Sequence, residues 1–173
     1  MKVLPLPIPL RSLLAFLLLG VPVLTQAEPP VVAAYTSFEE VIKLIPGEVL
    51  KGFKRSSEME AARRSSNDIL VEKAVGKMMT FKVELGERSS WAGDGSADKF
   101  QVAIKEIEMK ESGVVFTVRL WVMLPIEDEG ILNDLRPGDE VKVTGKLTRF
   151  EFTTSGAKIF LSGDLRGARI TDH

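Results

Sequence analysis

The sequence has 173 residues, of which 23 are basic and 24 acidic, so its formal net charge is −1. It contains no cysteine, which excludes disulfide bonds, thiol catalysis and lipid attachment through a cysteine. The charge balance also lacks the basic excess that is usual in nucleic-acid-binding proteins, which gain affinity by neutralising phosphates.

The first 27 residues have the pattern of a secretory signal peptide. Lys2 and Arg11 give a basic start, an apolar run follows at 13–21, and Thr25 and Ala27 supply small residues for cleavage. The run is short for a membrane span, so we expect cleavage, with an uncleaved N-terminal anchor as the alternative. Cleavage would leave 21 basic and 24 acidic residues, a formal charge of −3. We therefore expect a periplasmic or secreted protein with no stable membrane span.

Three further regions follow the predicted signal peptide. Residues 28–36 contain two prolines and no periodicity, which predicts a flexible tail. Residues 37–75 are predicted to be a helical extension, and residues 76–173 a β-barrel domain.

The helical extension is predicted to contain two helices. Ser37 caps the first, which we expect to pack on its own domain, although an amphipathic helix can also bind a partner. Residues 51–66 are polar and are predicted to be a solvated connector, the alternative being a basic surface for a polyanion. The second helix is predicted to be capped by Asn67 or Ser66 and to run to Val75.

Alternating apolar and polar residues predict five strands in the barrel domain. A long loop at 86–99 separates the first two strands, and the second slips by one register near Lys105, where we expect a bulge. A short helix at 130–136 separates the third strand from the fourth, and the last two strands are joined at 154–156. The third strand ends at Pro125.

Three strands, a helix and two further strands follow the order of the OB-fold, a five-stranded Greek-key barrel. Gly145 falls on the inward phase of the fourth strand, where a glycine marks a bend or a close approach of two backbones. We therefore predict a mainly β protein: a five-stranded OB-fold Greek-key barrel with a short helix between strands 3 and 4 and a helical N-terminal extension.

Two segments sharpen this prediction. The helix that begins at Asn67 runs into Gly76–Lys77, and the segment Leu135–Lys146 combines a Pro-Gly-Asp turn with a strand that carries Gly145. Together they resemble the tRNA-anticodon-like OB-fold family, and the resemblance covers about residues 67–170. It implies a small bacterial domain, often exported or lipid-anchored and mostly without an assigned activity. It implies nucleic acid only by analogy of fold. The absence of cysteine departs from the lipid-anchored relatives.

The candidate ligand-binding residues lie on the third strand and next to it, because OB-folds commonly bind ligands on the outer face of strands 2 and 3. If the aliphatic phase faces the core, then Thr117, Arg119 and Trp121 face outward, with Lys105 beside them. An aromatic ring among cations is typical of a stacking platform for bases or sugars. The alternative is that Trp121 packs beneath the long loop or the N-terminal helices. Trp91, in that loop, either anchors a ligand or closes the barrel mouth.

The sequence carries no signature of an enzyme. Its one histidine is the terminal His173, which excludes a His-based triad or a His-ligated zinc site. Asp94–Asp98 superficially resembles a calcium loop but lacks the further carboxylates that such a loop needs, so we expect a turn there. No catalytic residue, metal site or cofactor is predicted.

These observations predict an exported, non-enzymatic OB-fold binding module for a protein or small ligand in the cell envelope. The alternative is single-stranded nucleic acid binding by the outer face of the OB-fold, which the mildly acidic charge disfavours. A purely structural role in the envelope is a third interpretation, and it would leave Trp121 buried.

Overall fold

The computed structural model describes residues 32–90 and 98–172 of the chain. The predicted signal peptide, the first part of the predicted tail and Trp91 therefore lie outside the described residues. The compact unit to which the described residues belong spans 31–173. In the part of the chain that the structure describes, no helix is both long and apolar enough to cross a membrane.

Short helices precede the sheet. They are α1 (Phe38–Ile42), α2 (Gly47–Lys51), a 3-10 turn (Gly52–Lys54) and α3 (Met59–Lys73). Ser37 caps α1 as predicted, since its side-chain oxygen accepts a hydrogen bond from the backbone N–H of Glu40 at 3.2 Å.

Six strands form one sheet, which makes the chain mainly β. The strands are β1 (Met78–Ser90), β2 (Asp98–Ile104), β3 (Ile107–Glu111), β4 (Val114–Pro125), β5 (Glu140–Ser155) and β6 (Lys158–Asp172), and the short helix α4 (Glu129–Asp134) separates β4 from β5. The predicted count of five is corrected to six, because the second predicted strand is interrupted at Lys105 and Glu106 and continues as β3.

The strands are ordered β2–β1–β5–β6–β4–β3, and β2 also pairs with β4. The pairings therefore run in a ring through β1, β2, β4, β6 and β5. The β4–β6 pair is parallel, whereas the other pairs are antiparallel. Parallel neighbours need a long connection, and here residues 126–157, with α4 and β5, provide it.

The prediction of a loop at 86–99 is wrong at both ends. β1 continues to Ser90 and β2 begins at Asp98, so Asp98 opens a strand and does not lie in a turn. The pairing of β1 with β2 shifts register between Leu85 and Arg88. This irregularity breaks the alternation of apolar and polar residues, which is why the sequence pattern did not show the extension of β1.

Helix α3 begins at Met59, inside the segment predicted to be a connector, so that prediction is wrong for residues 59–66. The start of the helix is supported by ion pairs one turn apart. The Glu60 carboxylate accepts hydrogen bonds from Arg63 Nη2 and Arg64 Nε, both at 2.7 Å. Pairs at this spacing stabilise a helix whose apolar pattern is weak.

Asn67 lies within α3 and not at its N-terminus. Its Oδ1 accepts a hydrogen bond from the backbone N–H of Phe152 at 2.7 Å, and its Nδ2 donates to the Phe152 carbonyl at 3.2 Å. Ala62, Ser66 and Leu70 are buried at a spacing of four residues on this helix. The asparagine therefore attaches α3 to β5.

Aromatic side chains join the N-terminal helices to the sheet. The ring of Phe38 in α1 stacks on that of Phe81 in β1, with 4.1 Å between centroids. The ring of Phe152 in β5 contacts Phe53 at 5.1 Å and Phe116 of β4 at 5.4 Å. All five rings are buried, so the helices share one core with the sheet.

Two backbone features hold the first half of β1. Before α1, Ala34 N donates to the Met78 carbonyl at 2.8 Å, and Thr80 N donates to the Tyr35 carbonyl at 3.1 Å. This end of the predicted tail therefore lies beside β1.

On the other side of β1, Gly145 of β5 is buried opposite Met79, and a Cβ added to it would lie 2.9 Å from Ala168 Cβ. The predicted close approach at Gly145 is confirmed.

Candidate functional site

Strand β4 presents two chemically different faces. The inward residues are aliphatic or aromatic and fully buried: Val114, Phe116, Val118, Leu120 and Val122. The outward residues are Val115, which is exposed, and Thr117, Arg119 and Trp121, which are half-buried. The three candidate residues of β4 therefore share one outward face.

Strand β6 adds residues to this face that the sequence analysis missed. In the parallel β4–β6 pair, Thr117 lies beside Phe160 and Trp121 beside Asp164. In the antiparallel β5–β6 pair, Asp164 lies in turn beside Arg149. Phe160 alternates with buried residues on β6, which is a sequence signal for an outward aromatic, but its place next to β4 depends on the parallel pairing.

Arg119 is held between a carboxylate and an aromatic ring. Its Nε donates to Glu106 Oε1 at 2.6 Å, and its Cζ lies 3.8 Å from the centroid of the Phe160 ring. The short distance to the centroid places the guanidinium against the ring face, a favourable cation–π contact.

Arg149 is arranged in a similar way. Its Nε and Nη2 donate to the two carboxylate oxygens of Asp164 at 3.0 and 3.1 Å, which is bidentate geometry. Its Cζ lies 5.9 Å from the centroid of the Trp121 ring, within the range of a cation–π contact. We call Arg119, Trp121, Arg149 and Phe160 the arginine–aromatic face.

Lys105 is not brought into this group. Its Nζ lies 2.8 Å from both carboxylate oxygens of Glu84 on β1. Its backbone N–H also donates to the Glu84 carbonyl at 2.8 Å. The charge of Lys105 is therefore engaged at β1, whereas Thr117 lies beside the arginine–aromatic face through its neighbour Phe160.

Trp121 is half-buried and lies outside the core cluster, so part of its side chain is accessible. The N-terminal helices dock on β1 and β5 through Phe38 and Asn67. Any cover from residues 91–97, including Trp91, lies outside the described residues.

Two buried carboxylates lie near the end of β6 and have structural partners. Asp98 Oδ1 accepts a hydrogen bond from the Gly167 N–H at 3.2 Å, and Asp128 Oδ1 pairs with Arg169 Nη1 at 3.3 Å. Within residues 32–90 and 98–172, no three His, Cys, Asp or Glu side chains are grouped as a metal ion would need.

No family model and no curated protein matches the chain. Several solved structures are similar to it, and these are SSB-like OB-fold proteins. A Klebsiella pneumoniae lipoprotein, proposed to bind nucleic acid, is 11% identical, with a TM-score of 0.33 over 72% of this chain and 86% of its own. The Plasmodium falciparum SSB, solved with ssDNA, is 16% identical, with a TM-score of 0.32 over 56% and 93%. The small single-stranded DNA-binding protein of Streptomyces coelicolor is 12% identical, with a TM-score of 0.33 over 54% and 93%.

The prediction of a binding module for an envelope protein or small ligand is wrong. The similar structures are described as binding single-stranded DNA or nucleic acid and not as binding such a ligand. Likeness at these TM-scores does not assign an activity to this chain.

Proposed function

We propose that this chain binds single-stranded nucleic acid on its arginine–aromatic face. The observation that carries the proposal is the pairing of two arginines with two aromatic rings on one outward surface, Arg119 with Phe160 and Arg149 with Trp121. The proposal replaces the envelope-ligand interpretation with the alternative that the sequence analysis left open.

The aromatic rings supply a reason for binding single strands in particular. Trp121 and Phe160 are half-buried on the side of the sheet that faces away from the core. Unpaired bases expose their π faces and stack on aromatic side chains or on guanidinium planes, whereas the bases of a duplex are already stacked on one another. The same rings would therefore favour a single strand over a duplex.

The carboxylates of the face determine how much charge remains for phosphates. Glu106 pairs with Arg119, and Asp164 pairs with Arg149, so each guanidinium already has an anionic partner. A phosphate must compete with these partners, which makes stacking the larger source of affinity. The proposal thus accommodates a chain whose formal charge is −1. It also predicts that affinity depends only weakly on salt. If at most about two phosphates are neutralised, the slope of log K against log salt concentration should be no steeper than about −1.4.

The ring of strand pairings supports an OB-type Greek-key barrel, in which β2 and β3 together form the second of five strands. We propose this barrel as the scaffold of the site. We retain three predictions from the sequence as part of the proposal. They are membership of the tRNA-anticodon-like family, export to the periplasm or beyond, and the lack of catalysis.

Tryptophan fluorescence offers a direct test, because the chain has only two tryptophans. The substitution Trp91→Phe leaves Trp121 as the sole indole. Titration of this variant with short DNA and RNA oligomers should quench its fluorescence, and a matched duplex should quench it less. In fluorescence anisotropy with labelled oligomers, Trp121→Ala should weaken binding about fivefold or more, since one stacked base contributes about 1–3 kcal/mol.

Arginine variants separate the site from the general charge of the surface. Arg149→Gln should weaken binding, whereas Arg64→Gln, which also removes an arginine paired with a carboxylate, should not. Absence of binding at low salt would overturn the proposal. Equal affinity of the unsubstituted protein and the Trp121→Ala variant would overturn the assignment of the site.

A further inference from the structure

Strand β3 has an open edge. Among the strands in the described ranges, it alone has a neighbouring strand on one side only, namely β4. It is five residues long, with Glu108 and Lys110 exposed and Ile107 and Met109 half-buried. An open edge presents backbone N–H and C=O groups that can pair with a strand of another chain.

The sequence of β3 is complementary to itself in one register. When two copies pair antiparallel about Met109, each Glu108 lies opposite the Lys110 of the other copy. A shift of the centre by one residue places Glu108 opposite Glu108 or Lys110 opposite Lys110. Parallel pairing in register also places like charges opposite each other. Opposite charges across a strand pair stabilise it, and like charges destabilise it.

Both charged side chains are available for such pairing. Glu108 lies beside Thr117 of β4 and Lys110 beside Val115, so both project from the outward side of the sheet. Neither forms an ion pair within residues 32–90 and 98–172. Among the described residues the two charges have no ion-pair partner, and antiparallel pairing of two β3 strands would supply one for each.

We propose that β3 is a self-association surface, at which two copies of the chain pair their β3 strands antiparallel about Met109. The interface is isologous, since the same residues of both copies meet across a two-fold axis. This proposal rests on the open edge and the charge pattern of β3 and does not depend on the proposed binding of nucleic acid.

The dimer would have a consequence for the arginine–aromatic face. Because β3 lies beside β4, the pairing would join the two sheets into one surface, with the two β4 strands three strand spacings apart, about 14 Å. Two copies of the face would then lie near each other and run in opposite directions. A single strand that reached both would bind with higher avidity than one face provides.

Charge-reversing substitutions of Glu108 and Lys110 test this proposal. Sedimentation of the purified protein over a range of concentrations should show a monomer–dimer equilibrium. Glu108→Lys alone places lysines opposite each other, and Lys110→Glu alone places glutamates opposite each other. Each should therefore weaken the dimer about tenfold or more. An equimolar mixture of the two variants should restore it, because the two altered strands are again complementary.

The mixture also controls for misfolding, since restored association requires both variants to be folded. Glu72→Lys, an exposed charge reversal on α3, should leave the dimer unchanged. The proposal is overturned if the unsubstituted protein remains monomeric up to millimolar concentration. It is also overturned if either single variant dimerises with the same affinity as the unsubstituted protein. A mixture that fails to associate, although circular dichroism shows both variants to be folded, would also overturn it, because the dimer would then use another surface.

Discussion

The two faces of β4 differ in what surrounds them, although they belong to the same twelve residues. The inward face meets other apolar side chains: Phe116 contacts Phe152 of β5, and its neighbours on that face are fully buried. The outward face meets charges, since Arg119 pairs with Glu106 and Trp121 lies near Arg149. One strand thus supports both the core and the proposed binding surface.

Aromatic rings therefore occupy two different environments in this molecule. Phe152 is completely buried and contacts rings from both the N-terminal helices and the sheet. Trp121 and Phe160 lie on the opposite side of the sheet, outside the core cluster. Removal of an inner ring should therefore reduce stability, whereas removal of an outer ring should reduce binding.

The largest expected effect is that of Phe152→Ala. It leaves a cavity between the 3-10 turn and β4 and should lower the free energy of unfolding by about 3–5 kcal/mol. Urea denaturation followed by circular dichroism measures this change. Trp121→Ala, its counterpart on the outer face, should cost less than about 1 kcal/mol by the same method. Equal losses of stability in the two variants would contradict the distinction between the faces.

A smaller loss of stability is expected from Gly145→Ala. The added Cβ would lie 2.9 Å from both Ala168 Cβ and Leu165 Cδ2 on β6, too close without movement of the strands. Overpacking of this kind costs about 1–3 kcal/mol. Gly130→Ala on α4 is the matched control, because an added Cβ there meets nothing within 4 Å. Thermal unfolding should show a lower midpoint for Gly145→Ala only, and a similar midpoint for both variants would count against the close approach.

The smallest expected effect concerns the start of α3 and depends on pH. Hydrogen bonds from Arg63 and then Arg64 lower the pKa of Glu60 from 4.5 to about 2. Since the folded-state pKa is the lower one, the stabilisation is present above pH 4.5 and is lost as the pH falls toward 2. Glu60→Gln should therefore lower the melting temperature slightly near neutral pH, and the difference should shrink in acid.

This effect should be small and sensitive to salt, because the Glu60 side chain is exposed to solvent. Glu72→Gln on the same helix changes the same charge away from these arginines and serves as the control. The ion pairs do not support the helix if the difference in melting temperature between the unsubstituted protein and Glu60→Gln stays constant from neutral pH to pH 2.

Several parts of the fold could be predicted from local sequence. The alternation on β4 predicted its two faces, the position of Gly145 predicted a close approach, and Ser37 predicted the start of α1. Each of these depends on a few consecutive residues, because strand periodicity, glycine geometry and helix capping act over short distances.

The missed features depend on contacts between distant residues. At the start of helix α3, the burial of Ala62 and Leu70 in the core adds to the local ion pairs of Glu60, whereas the apolar pattern of the helix itself is weak. The second predicted strand became two because β2 pairs with β1 and β4, whereas β3 pairs with β4 alone. Such pairing choices have no counterpart in the local pattern.

The alternation of residues along β4 is enough to predict which of its side chains face outward, because successive side chains in a strand point to opposite faces. The residues that lie beside them depend on how distant strands pair. The parallel pairing of β4 with β6 brings Phe160 to Arg119, and the pairing of β6 with β5 brings Arg149 to Trp121. These partners are separated by 28 or more positions along the chain, so their proximity follows from strand register and not from local periodicity.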